Sequence, residues 1–126
     1  MGYTRYWQRT KKPITQDFVD EVNKIITDSR SKGITIRNGL GEGEPTVTLN
    51  KIAFNGDGAR DLDHETCYFD NEETGFAFCK TARKPYDYTV RNVLKAAEKL
   101  GIITNVSSDG ENEHIVSDTD YLNGKW

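Results

Sequence analysis

Apolar residues recur along this chain in two periods. Residues 2–9 alternate Tyr3, Arg5 and Trp7 with Thr4, Tyr6 and Gln8, the two-residue period of a strand with one aromatic face. Lys11, Lys12 and Pro13 end it. Thr15 is placed to cap a helix over 16–31, in which Phe18, Val22, Ile25 and Ile26 fall on one stripe at i, i+4, i+7 and i+8. Gly33 suits the left-handed residue that closes it. Ile34–Arg37 reads as a short strand, and the glycine-rich run 38–45 as a flexible loop. Thr46–Asn50 and Ile52–Phe54 read as strands closed by the turn pair Asn55-Gly56, with a polar loop over 57–63. Glu65–Asp70 and Gly75–Thr81 predict a β-hairpin across 71–75, which sets Cys67 opposite Cys79. Asp87 is placed to cap a second helix with Val90, Val93, Leu94 and Ala97 on its stripe and Gly101 as its stop. Ile102–Val106 has the run of a buried strand, Ser107–Gly110 turns, and 112–122 carries only a weak helical pattern.

Few βαβ units repeat in this order. The expectation is an α+β single domain over 1–126: a mostly antiparallel sheet of five or six strands, with two helices and the weak third packed on one face.

Composition narrows the class. Among 126 residues, 35% hydrophobic and 29% charged leave no membrane span, and two Trp, six Tyr and five Phe argue against a disordered chain. The net charge of −3 excludes a whole-chain basic nucleic-acid binder, so strong DNA binding is not expected. That charge is a sum over blocks: eight basic and four acidic residues in 1–38, two and nine in 39–78, six and two in 79–104, one and five in 105–126. The start has no apolar run of signal-peptide length, so both cysteines are expected as reduced thiols in a cytoplasmic protein.

Candidate chemistry concentrates in Phe78–Asp87 (FCKTARKPYD), which leaves a strand, turns through a proline and enters a helix. Lys80, Arg83 and Lys84 lie there beside the Thr81 hydroxyl and the Tyr86 ring. Cations next to a helix N-terminus favour phosphate or carboxylate, and a tyrosine there can stack on a base. The same residues also suit an ordinary capped strand-to-helix loop. Glycines 39, 41 and 43 are followed by no Lys-Ser/Thr pair and open no helix, so they form neither a Walker loop nor a dinucleotide fingerprint. Asp57, Asp61, Asp63 and Glu65 miss the calcium-loop pattern at Ala59, and His64, His114, Cys67 and Cys79 lack zinc spacing. No metal or cofactor is expected, and no catalytic constellation stands out.

Three stretches together carry a resemblance. Gly2–Trp7 (GYTRYW), Phe78–Asp87 and Val106–Glu111 (VSSDGE), with Phe54–Gly56, resemble a widespread family of small uncharacterised proteins of phages, prophages and bacteria. The matching segments cover about a fifth of the chain and run through its length in the same order. The family carries His where this chain has Arg5, and a longer C-terminal helix. The resemblance implies a phage-type antidefence protein in the host cytoplasm. Combined with the residues, it suggests capture of a small phosphorylated, nucleotide-like ligand, cyclic or not. Lys80, Arg83 and Lys84 would pair phosphate, Thr81, Ser107 and Ser108 would supply hydroxyls, Asp109 would take ribose or base N–H groups, and Tyr6, Trp7 or Tyr86 would stack. The alternative assigns Tyr3 and Trp7 to the core and makes Ser107–Gly110 a plain turn. Two other functions fit the same residues: an inhibitor of a host defence protein acting through an acidic face at 57–73 and 109–120, or a small phosphodiesterase or nuclease using Lys80 or His64. Homo-oligomerisation through the N-terminal strand or Trp126 stays open.

Overall fold

Strict alternation at the N-terminus builds the strand around which the rest is arranged. The computed structural model describes residues 2–126. In chain order it has β1 (Thr4–Arg9), α1 (Gln16–Ser31), β2 (Thr46–Val47), β3 (Lys51–Phe54), a 3₁₀ turn (Gly58–Arg60), β4 (Cys67–Asp70), β5 (Gly75–Lys80), α2 (Asp87–Lys99), β6 (Ile103–Ser108) and α3 (Asp118–Leu122). The class is α+β. The strands form two antiparallel sheets of three, ordered β5-β1-β6 and β2-β3-β4, where the sequence led us to expect one sheet of five or six.

The difference lies at residues 71–75. The expected β4–β5 hairpin does not close, because the turn is held by other partners. Asp70 Oδ1 accepts the N–H groups of Glu72 and Glu73, Asn71 Oδ1 accepts Ile14 N–H, and Arg9 Nη2 donates to Asp70 O. β4 then pairs with β3, and β5 with β1. The two sheets still meet at their far end, where Glu65 N–H donates to Lys80 O at 3.0 Å. Cys67 and Cys79 are both buried and free, and pair across the strands with Phe54 and Arg5 rather than with each other; the Cys79 thiol donates to Glu65 O at 3.5 Å. Burial, with Cys79 alongside, pushes the Cys67 thiol well up, which leaves no nucleophilic thiolate there.

Ile34–Arg37 forms a single bridge, Arg37 to Asn55, in place of a strand. Ile34 and Ile36 point into the core as the alternation requires, but neighbouring backbone groups find side chains as partners. Thr35 N–H donates to Asp118 Oδ2, and Arg30 Nη2 to Ile36 O. The glycine-rich loop is likewise tied down: Asn38 Oδ1 accepts from Leu40 and Glu42, and Gly58 N–H donates to Gly41 O. Gly41 has φ +78°, and a Cβ there would press on the Gly58 backbone.

The core joins the inner face of the first sheet to both long helices and the second sheet. Trp7, Ala77, Cys79 and Ile103 meet Phe18, Val22 and Ile26 of α1, Val90, Val93, Leu94 and Ala97 of α2, and Ile52, Phe54 and Phe69. Trp7 stacks on Phe69 with ring centroids 5.6 Å apart. Thr15 caps α1 by accepting Phe18 N–H, and Gly33 follows its end at φ +79°. Among the described residues no helix covers the outer face of β5-β1-β6, which leaves Phe76 and Phe78 in solvent. No helix among the described residues is long and apolar enough to cross a membrane.

Candidate functional site

The loop between β5 and α2 is built around a carboxylate that the sequence assigned to a helix cap. Asp87 is the first residue of α2, the Tyr86 N-cap makes no capping bond with its side chain, and the nearby N–H groups turn to local carbonyls, Asp87 N–H to Lys84 O and Tyr88 N–H to Pro85 O. The Asp87 carboxylate instead points beneath β1. Arg5 Nε and Nη2 reach Oδ1 and Oδ2 at 2.8 Å each, Thr81 Oγ1 donates to Oδ1 at 2.7 Å, and Asn112 Nδ2 to Oδ2. The side chains of Arg5 and Asp87 are 9% and 1% exposed. The two parallel contacts make a bidentate ion pair; burial alone lowers the Arg5 pKa, but the bonds and charge of Asp87 leave it raised.

That knot fixes a strained turn. Ala82 and Arg83 are consecutive left-handed residues at φ +54° and +57°, a conformation that costs a side-chain-bearing residue about 1–3 kcal/mol. The turn lays the Arg83 guanidinium 4.2 Å over the Tyr3 ring, with Nη1 donating to Glu111 O at 2.9 Å. No carboxylate among the described residues pairs with it. Lys84, 14% exposed, anchors the neighbouring loop through the carbonyls of Asp61 at 2.7 Å and Asp63 at 2.9 Å. Between this turn and the C-terminal segment lies a cleft of about 260 Å³, walled by Arg83, Lys84, Tyr88, Asn112, His114 and Trp126. Arg91 stands behind it, donating to Asn112 O and Glu113, its buried Nε without an acceptor.

No family model, curated protein or solved structure matches the chain.

The ten residues singled out in the sequence fall into three places. Thr81, Tyr86 and Trp7 are buried and engaged within the fold. Trp7 lies in the core, and Tyr86 donates its hydroxyl to Glu65 O, with burial pushing that hydroxyl's pKa up; neither ring is open to stack on a base. Arg83 and Lys84 line the cleft. Lys80, Tyr6, Ser107, Ser108 and Asp109 belong to the β5-β1-β6 sheet or its end, where Lys80 pairs with Thr4 and Ser108 with Arg5. The ends of β5 and β6 thus flank β1 and are separated by one strand. Asp109 accepts from Thr4 N–H at 3.0 Å and from the Tyr6 hydroxyl at 2.6 Å, a bond that raises the Tyr6 pKa. Ser108 closes its own turn on Gly110 O.

Tyr88, His114 and Trp126 were not assigned to the site by sequence. Tyr88 lies off the apolar stripe of α2, a signal that was available, whereas His114 and Trp126 arrive through an irregular segment with no pattern. The acidic run is less acidic than its composition. Asp57 pairs with Arg60 at 2.7 Å and Arg37 at 3.6 Å, and Asp118 with Arg60 at 2.9 Å. His64 Nδ1 lies 2.7 Å from Lys80 O and serves the sheet junction. No three His, Cys, Asp or Glu among the described residues group as metal ligands would.

Proposed function

We propose that this chain is a binding protein that captures a small phosphorylated, nucleotide-like ligand in the cleft beneath Arg83. In keeping with the resemblance of its three motifs, it would act as a phage-type antidefence factor in the host cytoplasm. The observation that carries this reading is Arg83 itself: a guanidinium preset by two left-handed residues, stacked on Tyr3, facing a cleft and lacking a carboxylate partner among the described residues. Such a fork matches phosphate geometry. Trp126, stacked on Tyr121 through one face, lines the same cleft, whereas Tyr88 is 8% exposed with Arg91 over its ring and serves as wall. The cleft's size sharpens the ligand. At about 260 Å³ it lies just below the roughly 300–1,000 Å³ of ordinary small-molecule sites, so it suits a mononucleotide, linear or cyclic, better than a cyclic dinucleotide. Pairing of Asp57 and Asp118 with arginines weighs against the acidic-face inhibitor.

Thermal denaturation in the presence of mononucleotides, cyclic mononucleotides, cyclic ADP-ribose isomers and cyclic dinucleotides tests the reading. A ligand at about 100 times its Kd adds about 2.7 kcal/mol of stability, and Arg83→Ala should abolish the gain. Ligand recovered intact after heat release supports capture, and altered ligand would make the chain an enzyme. No shift with any of these compounds, or an equal shift in Arg83→Ala, overturns it.

A further inference from the structure

The outer face of the β5-β1-β6 sheet is a three-by-three grid, with a bulge in β6 at Asn105 and Val106 between its lower two rows. Register places Lys80, Thr4 and Asp109 in one row, Phe78, Tyr6 and Ser107 in the next, and Phe76, Gln8 and Thr104 in the third, Asp109 closing its row through Thr4 O. The β5 column is bulky and the β6 column small. Phe76 and Phe78 are 62% and 46% exposed, and their rings continue into Tyr6 with centroid spacings of 6.0 and 6.1 Å. Lys80 sits at one corner, 5.7 Å over the Phe78 ring, and Asp109 at the corner opposite it across β1.

We propose that this face binds a second copy of the chain, face to face, about a two-fold axis that runs along β1. An axis in that direction lays each β5 column over the partner's β6 column. Phe76 and Phe78 then meet the low strip of Thr104 and Ser107, Tyr6 meets its own copy, and Lys80 meets Asp109 twice. An axis across the strands would set ring on ring and leave both charges unpaired, so the charges select the first arrangement. A balanced pair of charges on an aromatic face also suits a like-charged polyanion poorly, which favours a protein occupant over a nucleic acid. Three strands about 4.8 Å apart and five residues at about 3.4 Å give roughly 250 Å² in plan. That is far below the roughly 800 Å² each partner gives to a standard interface, so the association is a weak, transient one.

Sedimentation equilibrium of the wild type between about 10 μM and 1 mM should show a monomer–dimer equilibrium. Lys80→Glu alone, and Asp109→Lys alone, place like charges together twice and should each raise Kd at least about tenfold. In an equimolar mixture of the two variants, the mixed dimer sets the introduced glutamate of one against the introduced lysine of the other. It also sets the unaltered Lys80 against the unaltered Asp109, and should form to within about threefold of wild type. Circular dichroism checks that each variant folds. If Asp109→Lys fails because Thr4 and Tyr6 lose their acceptor, Phe76→Glu, at a solvent-exposed ring, should abolish the dimer by itself. A wild type that stays monomeric throughout, a mixture no better than its parents, or a dimer untouched by Phe76→Glu overturns the proposal. So would a monomeric wild type whose Phe76 and Phe78 ring resonances shift with a short single-stranded oligonucleotide, which would assign the face to nucleic acid.

Discussion

Replacing Arg5 by alanine would leave the Asp87 carboxylate beneath β1 with only the Thr81 hydroxyl and the Asn112 amide as donors. Asp87 is 1% exposed on its side chain, so bulk water does not reach it, and only water trapped in the space left by the guanidinium could replace part of the two lost N–H bonds. Removing one partner of such a buried pair costs about 3–5 kcal/mol, because the remaining charge is uncompensated. At about 2.1 cal/mol/K per residue of unfolding entropy, 126 residues give about 0.26 kcal/mol/K. The Arg5→Ala melting temperature should therefore fall by about 11–19 °C. Urea denaturation of Arg5→Ala, Asp87→Ala and the double variant separates this cost from lost packing, and their coupling should exceed about 2 kcal/mol. Arg5→Lys keeps the charge but not the two-pronged geometry and should fall between. Added salt should change none of these differences much, since the pair is shielded from counterions. A loss below about 1 kcal/mol for Arg5→Ala, or a coupling within about 0.5 kcal/mol of zero, would refute the claim that this pair holds the loop.

Two further substitutions test local features. Asp57 is held below the usual carboxylate range, chiefly by its hydrogen bond from Arg60. A depressed folded-state pKa contributes stability above the unfolded value that is lost as pH falls through the folded one, so Asp57→Asn should flatten the fall in melting temperature below about pH 4. Gly56→Ala should destabilise by more than about 2 kcal/mol in denaturant titration, because the new Cβ would collide with the Leu62 carbonyl, a backbone atom that no rotamer change can move.

The parts legible in the sequence were those written in local periods. The α1 stripe, its Thr15 cap and Gly33 stop, the α2 stripe and the alternation of β1 needed only neighbours along the chain. Pairing partners were harder to see. Asn71 and Asp70 look like hairpin-turn residues, yet they bind Ile14 and the backbone of 72–73, which diverts β5 to β1. The cap at Asp87 fails for the same kind of reason. An acceptor at a helix start satisfies local N–H groups unless a stronger donor reaches it, and Arg5, eighty-two positions away, does. The basic loop was found from composition. Its division into an inner anchor, a cleft and a sheet face was not, because alternation assigns faces only when the register is known.

The anchor and the cleft are one construction. Two consecutive left-handed residues without glycine would relax if the loop were free, and the carbon skeletons of Ala82 and Arg83 give no local reason to hold that shape. Thr81 before them and Asp87 after them bond each other, and Arg5 fixes Asp87 to β1, so both ends of the turn are pinned and the strain cannot escape. Arg83 consequently reaches its place over Tyr3 before any ligand arrives. A preset cation need not be ordered on binding, which removes about 0.5–1.5 kcal/mol of the cost usually met by a long side chain. If the proposed capture holds, loss of the Arg5–Asp87 pair should then weaken it even in molecules that remain folded, through an Arg83 whose aim is no longer imposed.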